Sequence, residues 1–213
     1  MKKGLSILIN ILLLAVIVFL AWLVVKSIQA PIKFNTEQKA RETKVVERLI
    51  DIRNAEVLYK NANNKYTADF DSLINFCQNA EIPIVKIIPD PTDTTFTRTI
   101  NDTLGYVKVM DSLKSGREDF DIKDIKWVPF SDPQQQFEIE AGIIKRSGID
   151  IPVFEVRTPY EVYLATPGAA FNEKEWKQRV DNTKAEKESI NRYAGLKVGS
   201  MEEATTDGNW EKL

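Results

Sequence analysis

The sequence predicts an α+β protein in which an N-terminal transmembrane helix runs on as a long amphipathic helix, and that helix packs against an antiparallel β-sheet. Three observations predict it. Gly4 to Val25 is a stretch of 22 residues without a charge. A polar and then apolar-periodic segment follows from Asn35 to about Ala62. Two alternating runs flank Arg146-Ser147-Gly148 late in the chain.

The charge-free stretch is long enough to span lipid. At 1.5 Å per residue, 22 helical residues cover about 33 Å, against a hydrocarbon core of about 30 Å. Lys2 and Lys3 precede it, and a short basic flank stays on the cytoplasmic side, which sends the bulk of the chain outward. The predicted organisation is a cytoplasmic stub (1–3), a transmembrane helix (4–25) and an extracytoplasmic stalk with a single α+β head (26–213). In a bacterium this is an inner (cytoplasmic) membrane protein with a periplasmic C-terminal domain. Trp22 and Lys26 suit the outer interface, with the indole at headgroup depth and the ammonium reaching water. A cleaved secretory signal is the competing reading, because Ser27-Ile28-Gln29-Ala30 ends in a small residue. It is disfavoured by the length of the apolar region, by Ile28 where a small residue is wanted, and by Pro31 just after the cut.

Composition narrows the chemistry. The chain has 29 Lys and Arg against 31 Asp and Glu. Lys2 and Lys3 lie before the span, so the remainder carries 27 against 31, a net of −4. That balance gives no electrostatic footing for nucleic acid. There is no histidine, which removes Ser-His-Asp and Cys-His nucleophile activation together with His-containing zinc sites. The single cysteine, Cys77, has no intramolecular disulfide partner and sits among apolar residues at helical spacing, as a buried inert thiol would.

Beyond the span, Ala30-Pro31 is expected to bend or interrupt the chain, because Pro31 removes a backbone donor. Asn35 is a candidate cap, followed by Glu37, Gln38, Lys39, Arg41 and Glu42, and then by Val45, Leu49, Ile52, Val57 and Leu58. The predicted helix is polar all round near the membrane and amphipathic farther out, so a free stalk should bury only its distal half. Asn63-Asn64-Lys65 ends it. Phe70, Leu73, Ile74 and Cys77 share one face of a short second helix. Ile82 to Ile88 reads as a strand, Thr92 to Thr103 as a segment with a strand around Phe96, and Tyr106 to Met110 as a further strand.

The strongest β signal is the hairpin formed by Phe137–Lys145 and Ile149–Val156, with Gly148 in the turn and Pro152 marking an edge or a bulge. Tyr160 to Leu164 is expected to extend the meander. Asn172 caps a charged helix to about Tyr193, with Glu173/Lys177, Glu175/Arg179 and Glu188/Arg192 at i,i+4 spacing and an inner stripe of Trp176, Val180, Thr183 and Ile190. Gly195 to Ser200 reads as a closing strand, with Trp210 packed on the head.

No catalytic, cofactor or metal residues are assigned. Glu118, Asp119, Asp121 and Asp124 form an acidic run that lacks the central glycine and terminal glutamate of a calcium loop. Asp90 to Thr95 is turn chemistry, and no glycine-rich phosphate loop is present.

The first third of the chain carries a resemblance. Lys2-Lys3-Gly4, the apolar helix, the continuation Leu49-Ile50-Asp51-Ile52-Arg53-Asn54-Ala55-Glu56-Val57-Leu58-Tyr59, and then Asn64-Lys65-Tyr66-Thr67 and Leu73 together resemble type IV pilins and type II secretion pseudopilins. The resemblance covers residues 1–76 in motif and the rest in element order. It implies a long helix wrapped by an antiparallel sheet, and processing between Gly4 and Leu5. Ile9 stands where that family usually carries the glutamate that docks one subunit on the next, so a permanently anchored, pilin-like protein is the expectation. The function expected is a non-enzymatic structural or interaction protein of the cell envelope, an assembly or secretion-system component. Its partners would be membrane lipid and envelope proteins or further copies of itself. The alternative is a membrane-tethered carboxylate-dependent hydrolase or glycan-acting enzyme using acids such as Glu138 and Glu155.

Overall fold

The computed structural model describes residues 2–89 and 99–211. A single helix, α1 (Lys2–Asn63), runs through span and head without a break. At 1.5 Å per residue it is about 93 Å long. α2 (Phe70–Asn79) follows, then a two-stranded ribbon of β1 (Glu81–Pro89) and β2 (Thr99–Lys108), then a short α3 (Val109–Lys114) and a 3-10 turn at Ile122–Asp124. The second half supplies β3 (Glu138–Arg146), β4 (Ile149–Pro159), α4 (Tyr160–Tyr163), α5 (Glu173–Ser189) and β5 (Gly195–Gly199). β3, β4 and β5 form an antiparallel sheet in that order, and β5 lies against α1. The fold is α+β, with the long helix and antiparallel sheets that the sequence predicts.

The apolar span separates cleanly from the core. Among the described residues α1 alone is long and apolar enough to cross a membrane, with a mean hydropathy of 2.8 in its most apolar window, and none of that window is buried. Side chains from Ile9 to Val25 are exposed all round the helix, so this is not the core helix of a globular domain. It fits a single-pass membrane protein.

Two expectations about the stalk are corrected. Pro31 lies inside α1 and does not interrupt it. Proline removes one intrahelical donor and crowds the preceding turn, but the helix is long on both sides, and Asn35 lies within it rather than capping a new one. Nor is there a free stalk. Phe34, at 3% exposure, already belongs to the core, and it meets Trp176 of α5 edge-on, with ring centroids 5.0 Å apart. Only residues 26–33 separate the span from the head.

From Phe34 onward α1 buries one stripe: Phe34, Arg41, Val45, Leu49, Ile52, Ala55 and Glu56. Steps of three, four and seven keep the side chains from Phe34 to Ala55 on one face, and Glu56 beside Ala55, with the buried Asp51, widens it. The membrane-proximal stretch reads as polar because its inner position is held by arginine. Arg41 is 6% exposed. Its Nη1 donates to the Thr166 carbonyl at 2.8 Å, Nε donates to Glu37 at 3.0 Å, and the guanidinium stacks 5.0 Å from the Trp176 ring. This cation joins α1 to the segment between α4 and α5 and keeps its donors satisfied while buried.

The sheet contributes the opposite half of the core. Phe154, Val156, Leu196 and Val198 are buried, with Ile139 and Ala141 packed beside them. The β3–β4 hairpin closes through Ser147 (φ 53°) and Gly148 (φ 82°), with Arg146 opposite Ile149. Positive φ at both central residues is the turn that matches strand twist. Pro152 lies in the part of β4 that only β3 pairs, since β5 reaches only from Glu155 to Pro159. It marks an edge with no bulge. β5 is in turn covered by the C-terminal segment: Asn209 N donates to Lys197 O at 2.9 Å, and Glu211 pairs with Arg53 of α1 at 2.8 Å. Trp210 packs on the core.

Other elements follow or depart from the sequence pattern. α2 begins after Asp69, whose side chain accepts from Asp71 N and Ser72 N, and it buries Phe70, Leu73, Ile74 and Cys77, as predicted. Asn172 caps α5, also as predicted. Tyr160–Tyr163 is a helical turn and not an added strand, because Tyr160, Tyr163 and Leu164 are all buried at i, i+3 and i+4. Tyr106 belongs to one long strand, β2, and Val109 already starts α3. Phe96 and the Asp90–Thr95 turn lie outside the described residues. Ile190 is exposed, at 56%, because α5 ends one residue before it. None of the three predicted i,i+4 pairs on α5 is an ion pair among the described residues; Lys184 reaches across to Glu161 at 2.7 Å instead.

Replacing Arg41 with alanine is expected to cost about 2–4 kcal/mol, since it strips the Thr166 carbonyl and Glu37 of a buried donor and leaves a void beside Trp176. Thermal melts of the detergent-solubilised full-length protein should show the drop in Tm. An unchanged Tm would mean that Arg41 does not secure the membrane-proximal end of the head.

Candidate functional site

The acids that the sequence offered for catalysis do converge. β3 places Glu138 and Glu140 on one sheet face, and the register sets them beside Arg157 and Glu155 of β4 and Lys197 of β5. Arg157 bonds all three carboxylates, at 2.7 Å to Glu138, 2.7 Å to Glu140 and 3.1 Å to Glu155, and Lys197 reaches the other oxygen of Glu155 at 2.9 Å. The pull of these carboxylates holds the Arg157 guanidinium above its ordinary range, led by the hydrogen bond that Arg157 donates to Glu138. Three carboxylates share two cations. Retaining and inverting chemistry both need two acids facing one another across a substrate-sized gap. Here Arg157 fills that gap, and the arrangement is a cross-strand ion-pair network on the outer face of the sheet.

Glu56 is the other acid with unusual surroundings. In the sequence it stands only within the pilin-like continuation from Leu49 to Tyr59 and outside the apolar stripe, yet it is wholly buried. Oε2 accepts from Thr67 N at 3.1 Å, and Oε1 has no hydrogen-bond partner among the described residues. Burial pushes its carboxyl up to about 8, against a smaller opposing effect of the Thr67 hydrogen bond. A strongly raised acid in a cleft marks a functional site. Glu56 lies in no cleft, being sealed where α1 meets the Tyr66–Thr67 connection. It fixes the direction in which the chain leaves α1. Nearby Cys77 is fully buried, and burial pushes its thiol up to about 12, so it is not a nucleophile.

The acidic run stays on the surface. Glu118, Asp119, Asp121 and Asp124 are exposed, and Asp121 caps the 3-10 turn by accepting from Lys123 N. Among the described residues no group of three or more potential ligands is placed to hold a metal ion. Arg117, next to this run, forks onto Asp51 of α1 at 2.7 and 3.1 Å. It borders an open groove of about 710 Å³ along α1, lined by Ile50, Val57 and Leu58 with a charged rim.

The least satisfied surface is the β1–β2 ribbon. Among the described residues it pairs with no other strand, yet Ile84, Val85, Ile88, Leu104 and Tyr106 are exposed, Leu104 and Tyr106 at 63% and 68%. Pro83 and a register shift after Ile84 blunt its edges. An isolated two-stranded ribbon is marginal in water, and apolar side chains on both of its faces point to burial against something else.

Of the residues singled out at the membrane, Gly4 and Leu5 lie within α1. Trp22 and Lys26 fall on one helix face, with the Lys26 ammonium 5.6 Å from the Trp22 ring. Compared with known protein families, curated proteins and solved structures, the chain gives no match. Helix and head together define the class: an α+β protein with one helix, among the described residues, long and apolar enough to cross a membrane, and a head seated close to that apolar segment.

Two measurements check this site. Glu56 has a folded pKa above its unfolded value, so its contribution to stability is present below about pH 4.5 and is lost as pH rises through about 8. Between those limits the group should cost about 1.4 kcal/mol per pH unit. Glu56→Gln should flatten the dependence of Tm on pH across that window, and a wild-type slope retained in the variant would assign it elsewhere. Arg157→Gln should cost about 2 kcal/mol by leaving buried Glu155 with one partner. Glu138→Gln, at an exposed carboxylate, should cost less than about 1 kcal/mol. Equal losses in Tm would contradict the network.

Proposed function

We propose that this chain is a single-pass, membrane-anchored, pilin-like interaction protein of the cell envelope, and not an enzyme. Lys2 and Lys3 hold the N-terminus in the cytoplasm, α1 crosses the inner membrane, and the head works in the periplasm on protein partners or on further copies of the chain. The observation that carries this reading is the β1–β2 ribbon, with apolar side chains exposed on both faces while the acids suited to catalysis are tied up by Arg157. The long helix wrapped by a small antiparallel sheet is the element order of pilins and pseudopilins, which supports an assembly or secretion role. Ile9, in place of the docking glutamate, favours a permanently anchored accessory subunit over a polymerising one.

The test is in-membrane cross-linking. Leu104→Asp with Tyr106→Asp changes two exposed ribbon positions, so the Tm should hold to within about 1 °C, while the cross-linked species recovered with wild type should fall by at least fivefold. A protein recovered only as a solitary monomer, or a cross-link untouched by the double variant, would remove the ribbon as the contact surface.

A further inference from the structure

The head does not simply hang beside the membrane. Trp22, Lys26, Gln29 and Lys33 fall at i, i+4, i+7 and i+11, on one face of α1, and across a gap stand Phe171 and Glu175, from the start of α5 and the loop before it. Together they bound a notch of about 180 Å³. Its position is set by packing already described. Phe34 meets Phe171 and Trp176, and Gly168 lies so close to α1 that a Cβ there would sit 3.1 Å from Glu37.

The depth of the notch follows from helix geometry. With the hydrocarbon edge at Val25, Lys26 stands about 1.5 Å, Gln29 about 6 Å and Lys33 about 12 Å beyond it. The polar layer of a bilayer is about 5–8 Å thick on each side, so the notch opens within the headgroup layer and closes just above it. Among the described residues neither Lys26 nor Lys33 is paired with a carboxylate. Two ammonium groups and an amide thus line one wall, and the Glu175 carboxylate stands on the other.

We propose that this notch binds the headgroup of one glycerophospholipid that carries both a phosphate and a primary ammonium, as phosphatidylethanolamine does. Lys26, Gln29 and Lys33 donate to the phosphate oxygens. Glu175 accepts from the ammonium. Trp22 lies along the upper acyl chain at the depth where indoles settle. The bound lipid becomes a wedge that fixes the tilt of the head against the bilayer.

The inference rests on the membrane anchor of the preceding subsection, and one set of samples separates the two. Full-length protein in membranes is first washed with alkaline carbonate; release of the chain would overturn anchor and notch together. Retained protein is then extracted in mild detergent. Native mass spectrometry reads the lipid that stays bound when phosphatidylethanolamine, phosphatidylglycerol or phosphatidylcholine is supplied, with inorganic phosphate as a separate arm. One retained phosphatidylethanolamine is expected, reduced at least tenfold in the double variant Lys26→Gln, Lys33→Gln. Glu175→Gln should lower phosphatidylethanolamine retention at least threefold while leaving phosphatidylglycerol retention unchanged. Equal retention by wild type and the double variant, no preference among the three lipids, or displacement of the lipid by millimolar inorganic phosphate would each overturn the proposal.

Discussion

The structure depends on one face of one helix. α1 carries an apolar surface that is exposed all round from Ile9 to Val25 and a single buried stripe from Phe34 to Glu56, so the same rod is apolar enough to cross a membrane in one part and is packed against protein in the other. Everything in the head is organised by that stripe. α5 covers its membrane-proximal end through Phe34 and Arg41, β5 runs against its middle, and α2 closes the distal end around Tyr59, Phe76 and Glu56. Because the helix is continuous between the two environments, the head inherits the orientation of the span and does not swing on a tether.

The polar groups along the stripe explain how a helix with charges can still be a core element. Arg41 and Glu56 are both buried, and each ties α1 to backbone: Arg41 donates to the carbonyl of Thr166, and Glu56 accepts from the N–H of Thr67. Such contacts are directional where apolar packing is not, and they fix the register of the head on the rod. Asp51 with Arg117 and Arg53 with Glu211 repeat the device nearer the surface, and Arg48 reaches the Asp124 carbonyl. On the far side of the sheet, Arg157 plays the same role across β3 and β4. The charged clusters of this protein are joints. Among the described residues the exposed apolar ribbon and the notch beside Trp22 stand apart from these joints.

Much of the architecture was legible in the residues. The apolar helix, the α2 stripe, the cap Asn172, the Ser147-Gly148 hairpin and the closing strand all follow local rules of periodicity and turn chemistry, and each lies where those rules put it. The failures have physical causes. Arg41 hid the start of the buried stripe, because a buried cation looks like a solvated one until its acceptors are known. Pro31 read as a break, because a local rule weighs the lost donor and not the long helix on both sides. Tyr160–Leu164 mixed strand propensity with helical spacing, and burial at i, i+3 and i+4 decided it. The convergence of Glu138, Glu140 and Glu155 on Arg157 needed the strand register, which no single-strand pattern contains. The depth of Glu56 needed the path of the chain after α1.

The central claim is that α1 is unbroken from lipid to core, with no flexible linker between Val25 and Phe34. Amide hydrogen exchange of the full-length protein in lipid nanodiscs, resolved across residues 26–40, tests it most directly. Slow exchange continuous with the head, interrupted only around the carbonyl that Pro31 leaves without a donor, is the result this structure predicts. Fast exchange across residues 26–33, at the rate of an unstructured peptide, would contradict it and return the head to a tether.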